Sequence, residues 1–93
     1  MNQQEFEAAL KAENYDEIVN ISKAVGYQMG EHSHAFDAYA LILSGDITLT
    51  VNGASTTYKA GDTFRLAANT LHQESTIPNG VNYVVGRRAV KAA

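Results

Sequence analysis

Apolar and polar side chains alternate most cleanly at Ile47, Leu49 and Val51, with Asp46, Thr48 and Thr50 between them. A period of two is that of a half-buried strand, and the following Asn52-Gly53 suits the two positive-φ positions of a type I′ turn. The stretch therefore predicts a β-hairpin. Similar short pieces recur along the chain, cut at Gly26, Gly30, Gly45, Gly61-Asp62, Pro78-Asn79-Gly80 and Gly86. That spacing is the one expected of a sandwich or small barrel. Gly-Asp occurs twice, at Gly45 and Gly61, each read as the place where a strand begins.

Two segments break the pattern. Gln3 to Glu13 reads as a helix: Asn2 stands at the N-cap with Glu5 three residues on, and Phe6, Ala9 and Leu10 share one face. It is expected to lie across a sheet, with Tyr15-Asp16 turning the chain into the extended run that starts at Ile18. The second is Tyr39-Ala40-Leu41-Ile42-Leu43, apolar on both faces of a strand. In an antiparallel protein both faces must then be covered, here by the helix or by a second subunit, so a homodimer is expected. The elements predict one all-β domain over 1–93, with a helix at about 3–13 and a barrel at about 18–88.

Composition narrows the chemistry. Ten acidic against seven basic residues give a net charge of −3, with Lys and Arg scattered, whereas a nucleic-acid surface carries a basic stripe. No nucleic-acid partner is expected. The N-terminus lacks a basic start followed by an apolar run, and no stretch reaches the 18 apolar residues of a membrane span; the expectation is a cytoplasmic protein without a membrane partner. Cysteine is absent, which removes disulfides, thiolate nucleophiles and Cys-based metal sites.

The three histidines are the chemical clue. His32 and His34 flank Ser33, and His72 stands far downstream, each in a segment that reads as strand. Residues i and i+2 of a strand share a face about 7 Å apart, so His32 and His34 present two imidazoles side by side. His72, from another strand, would close a facial set around one metal ion.

At this point the chain resembles the cupin superfamily. Gly26, five residues, His32-Ser33-His34 and then Gly45 are similar to the first cupin motif; Gly61, Asn69 and His72 are similar to the second. The resemblance spans residues 26 to 76 and implies a double-stranded β-helix, or jelly-roll barrel, of six to eight strands with a metal in one mouth. It also exposes departures. The glutamate of the first motif is replaced by Ala38, and in the second motif Ala67, Asn69 and Thr76 stand at the proline, glycine and asparagine positions. Asn69 suits a turn because asparagine tolerates left-handed backbone. With the carboxylate missing, three neutral imidazoles leave a divalent ion with its full charge and several positions open to water or ligand.

Two carboxylates stand near the vacancy. Asp37 adjoins Ala38 but points to the opposite face of a regular strand, so it would need a bulge to enter the site. Glu74 shares a face with His72 and suits a contact beside the ligands or a general base, its tentative catalytic role. Gln73 should face away. By the same alternation Gln28 and Gly30 join His32 in the cavity, Ala38, Ala40 and Ile42 line the next strand, and Phe64 and Leu66 form an apolar wall. Arg65 is expected outside, Tyr39 and Tyr83 in packing, and Arg87-Arg88 at a solvated chain end, with a hold on a substrate carboxylate as the second reading.

The sequence thus supports a metal-binding small cupin that holds one divalent ion (Fe, Ni, Zn, Mn or Cu) on His32, His34 and His72 and takes a small-molecule ligand or substrate. The alternative is suggested by resemblance to three-histidine cupin dioxygenases, in which Fe(II) binds a chelating substrate and then dioxygen. This chain is far smaller than the thiol dioxygenases and has no clear tyrosine-arginine pair for their substrate.

Overall fold

The computed structural model describes residues 1–89, so the last four of the expected single domain lie outside the described residues. A helix α1 (Gln3–Ala12) is followed by seven strands: β1 (Glu17–Lys23), β2 (Tyr27–His32), β3 (Phe36–Val51), β4 (Ala54–Lys59), β5 (Thr63–Leu66), β6 (His72–Thr76) and β7 (Val81–Ala89). All pairings are antiparallel. One sheet runs β1-β7-β3-β5 and the other β2-β6-β3-β4, with β3 shared between them.

Sharing is possible because β3 is a single 16-residue strand that bends midway. Gly45, expected to end one strand and begin another, instead lies inside it. The β3 register against β7 shifts between Ile42 and Ser44, where Leu43 is the extra residue, and Gly45 takes φ +74. A Cβ at Gly45 would collide with the Gly80 carbonyl, so glycine is required on steric as well as conformational grounds. The bulge also switches which residues face inward. Ala38, Ala40 and Ile42 precede it in the core, whereas Ile47 and Leu49 follow it in the same core.

The core lies between the two sheets, where Phe64, Tyr83 and Val85 join those side chains. Outside the first sheet lies a second cluster, in which Phe6 and Leu10 of α1 pack with Tyr15 on Tyr39, Leu41 and Val84. The Phe6 and Tyr39 rings meet edge-on at 4.9 Å. The helix is thus one of the two expected covers for the doubly apolar strand. Its start has the expected capping box between Asn2 and Glu5, and its end turns through Asn14 at φ +63, with the Tyr15 amide donating to the Leu10 carbonyl. Gly86 lets the helix sit close, since a Cβ there would come within 2.5 Å of Leu10.

The outer face of the second sheet is polar. Thr48 bonds Thr57 and Thr50 bonds Ser55 across the β3-β4 hairpin, each at 2.8 Å, and the turn residues Asn52 and Gly53 have φ +53 and +78 as expected. Among the described residues no helix is long and apolar enough to cross a membrane.

Candidate metal centre

The three histidines converge although they do not all lie within strands. His32 ends β2, His34 stands in the connection to β3, and His72 opens β6. His32 and His72 are directly paired in the β2-β6 ladder, which brings their rings to 4.2 Å between centroids, with His34 at 5.1 and 5.4 Å from them. The His34 loop is tied down by the Asn69 amide, which donates to the His34 carbonyl at 2.7 Å. Asn69 reaches it from φ +65, so the left-handed turn expected there also positions a histidine. On its other side the His34 ring stacks on Phe36, 15° from parallel at 4.9 Å.

The ring orientations matter more than proximity. His32 Nδ1 lies 2.8 Å from the Gly30 carbonyl and His72 Nδ1 lies 2.9 Å from the Thr70 carbonyl. A carbonyl only accepts, so each Nδ1 carries the proton and, in the neutral ring, each Nε2 keeps its lone pair. Both Nε2 atoms are buried and, among the described residues, neither has a hydrogen-bond partner. One candidate ligand atom from each histidine lies within 4.8 Å of the others. Buried polar atoms are ordinarily satisfied, and backbone-anchored imidazoles with a free second nitrogen are the arrangement found around bound metals. The residues therefore fit a metal ion. Burial, then the charges of His32 and His72, hold the His34 pKa below its ordinary value, which favours the neutral ring a metal needs.

Glu74 enters the same space. Its Oε2 lies 3.3 Å from His72 Nε2 and 3.6 Å from His32 Nε2, while its Oε1 accepts a hydrogen bond from the Tyr27 hydroxyl at 2.9 Å. Burial and that bond raise the Tyr27 pKa well above the usual phenol value, so Tyr27 stays a donor. Asp37 is turned away and engaged elsewhere: the Ala68 amide donates to it at 2.9 Å and Arg88 at 3.0 Å. Both contacts lower its pKa, the amide more.

Around the histidines is a cavity of about 160 Å³. Ala38, Phe64 and Leu66 line it as expected, and Tyr83 belongs to both the cavity and the core; burial pushes its phenol up to about 12. Ala40 and Ile42 are core residues and are absent from the cavity wall. Gln28 and Gly30 were expected to line this cavity and instead face an outer groove with Thr48 and Gln73. The cause is a second bulge: Met29 pairs with Glu74 and His32 with His72, leaving one extra residue on β2. The parity flips, so Tyr27 and Met29 line the cavity with His32. Gly30 falls inside that bulge, and a glycine within a strand is the sequence signal that could have marked it. Gln73 is exposed as expected.

Arg87 and Arg88 belong to β7, not to a loose chain end. Arg87 lines the cavity, its guanidinium 4.9 Å over Phe36 and its Nε buried without a partner among the described residues. The alternation of Tyr83, Val85 and Arg87 could have revealed this. Arg88 and Arg65 face out: Arg88 stacks on Tyr15 and Arg65 on Tyr39, with Arg65 also forming a bidentate pair with Glu13.

Comparison with known proteins agrees with this architecture. A family model described as a cupin domain matches residues 22–77, and the chain belongs to the cupin family. Among solved structures it is similar to a cupin protein from Bacteroides fragilis, at 20% identity and TM-score 0.66, over 82% of this chain and 67% of that one. A cupin from Methanocaldococcus jannaschii described as a double-stranded β-helix matches at 24% identity and TM-score 0.67, over 77% and 67% of the two chains. KdgF from Halomonas sp. matches at 16% identity and TM-score 0.68, over 80% and 69%. The chain thus spans about two thirds of the length of these relatives. A comparison with curated proteins found no match.

Proposed function

We propose that this protein binds one divalent transition-metal ion through His32, His34 and His72 and presents it to a small anionic ligand. The observation that carries this reading is the pair of buried, unpartnered Nε2 atoms on His32 and His72, each held by an Nδ1 bond to backbone. When bound, such an ion supplies Lewis acidity and coordination positions for a ligand.

The surroundings argue for the ligand class. A volume of about 160 Å³ equals roughly five waters at ~30 Å³ each, so the ligand is small. Lys23 and Arg87 both line the cavity, and the remaining wall includes Ile21, Phe36, Phe64 and Val85. Cationic groups over an apolar wall suit a small carboxylate or similar anion with a short apolar body.

The test is to purify the protein and determine bound metal, then remove it with a chelator. One ion per chain, with a lower Tm after removal that the added metal restores, is expected from binding to the native state alone. Reloading with Fe(II) and following oxygen uptake against thiol acids and β-diketones then separates a binding module from a dioxygenase. Light scattering on the same preparation checks the expected homodimer. A chain that retains no metal and whose Tm no divalent ion raises would end this reading.

A further inference from the structure

Ala38 removes a carboxylate from the histidine cavity, but the cavity is not without one. Glu74 reaches it from β6, and its Oε2 stands 3.3 and 3.6 Å from the Nε2 atoms of His72 and His32. These separations are long for hydrogen bonds, which run about 2.7–3.2 Å, and neither Nε2 has a hydrogen-bond partner among the described residues. With both Nδ1 atoms beside carbonyls, two neutral imidazole Nε2 atoms and a carboxylate oxygen face one buried space. Such a set repels unless a proton or a metal ion lies among them, and separations of 3.3 and 3.6 Å suit a shared metal better than a proton held in one short hydrogen bond. Donors about 2.0–2.2 Å from a shared ion sit roughly 3.0–3.5 Å apart at octahedral to tetrahedral angles, which is the spacing Glu74 keeps from His72 and nearly that from His32; the set of ligand atoms within 4.8 Å of one another holds the three histidines alone, so joining it asks the Glu74 carboxylate to move toward His34 when the ion binds.

We infer that Glu74 is the fourth ligand of the metal centre, a carboxylate moved from the β3 position now held by Ala38 to β6, and that Tyr27 is its positioning residue. This rests on the three-histidine reading and extends it. Tyr27 anchors Oε1 at 2.9 Å, so only Oε2 is presented. The bulge in β2 makes the arrangement possible, because it brings Tyr27 and His32 to the same side of the strand. A neutral three-imidazole site would leave the ion its full charge; Glu74 lowers it by one, as the carboxylate at position 38 would have done.

The experiment is a Co(II) titration of the whole protein, read by visible absorption bands and by calorimetric affinity, with folding followed by far-UV circular dichroism. In Glu74→Gln the affinity should fall at least tenfold and the bands should shift, because a neutral amide replaces a charged ligand. Tyr27→Phe should lower affinity by a smaller factor and keep the bands close to wild type, since the ligand set is unchanged. Adding Ala38→Glu to Glu74→Gln should recover most of the lost affinity. Unaltered affinity and bands in Glu74→Gln, with His72→Ala binding none, would overturn this inference while leaving the three-histidine site standing. A weaker Glu74→Gln with wild-type bands would also overturn it, because Glu74 would then act without touching the metal. If Glu74→Gln does not fold, unchanged affinity in Tyr27→Phe decides against it. Failure of the wild type to bind Co(II) would remove both readings.

Discussion

The two sides of the β1-β7-β3-β5 sheet solve the problem of polar groups in opposite ways. On the outer side, under α1, charged groups are engaged: Arg65 with Glu13, Arg88 with Asp37 and the Glu13 carbonyl, and both guanidiniums over tyrosine rings. On the inner side, at the cavity, His32 Nε2 and His72 Nε2 are buried without partners among the described residues, as are Arg87 Nε, whose Nη1 donates to Glu17 at 3.2 Å, and Thr76 Oγ1 away from the cavity wall. Folding alone selects for satisfied groups, because a buried unsatisfied donor or acceptor costs about 1–3 kcal/mol. The contrast teaches that the outer side serves stability, while the imidazoles on the inner side are left with nitrogens that no described residue fills, as the proposed metal site requires. Adjacent residues of one strand divide the labour: Arg87 faces the cavity and Arg88 the helix side.

Substitutions on each side should therefore affect different measurements. The largest effect is expected at the cavity, where His72→Ala or His34→Ala should abolish metal binding, read as metal per chain after desalting, while far-UV circular dichroism still reports a folded β domain. Full metal content in both variants would sink the site. Under the helix, Leu10→Ala should cost about 2–5 kcal/mol of stability by leaving a cavity, measured by urea unfolding, with metal content per folded chain unchanged. A smaller effect is expected from Asp37→Asn. Asp37 has a folded pKa below its unfolded value, so its contribution is present above the unfolded value near 4 and is lost as pH falls through the folded one. The variant should lose on the order of 1 kcal/mol at pH 7, as for a partly exposed and screened charge pair, and the loss should shrink as pH falls through the folded value. A loss that does not shrink on acidification would show that charge is not the cause.

Much of this was legible in the chain. The Asn2-Glu5 capping box, the Asn52-Gly53 hairpin and the doubly apolar segment each follow from local chemistry, and each is found, the last over Tyr39 to Ile42 only, because Leu43 is the bulge residue and is exposed. The three histidines do lie near one another, although not by the expected i, i+2 pairing on one strand, because His34 stands in the connection after β2. The errors share a cause. Gln28 and Gly30 were placed inside, and Gly45 was read as a strand boundary, because alternation was assumed to run unbroken. Each bulge adds one residue and reverses parity downstream.

The sequence by itself determined the helix, the hairpin and most of the strands, and it named the histidines that come together, since those depend on periodicity, capping and turn residues within a few positions. Only the tertiary structure decided where the two bulges fall, that Tyr27 faces the cavity, and how near Glu74 comes to each imidazole. Those outcomes depend on register between strands distant in sequence, such as Met29 against Glu74 and His32 against His72. Register is set by pairing and packing across the whole sheet, and no local run of residues contains it.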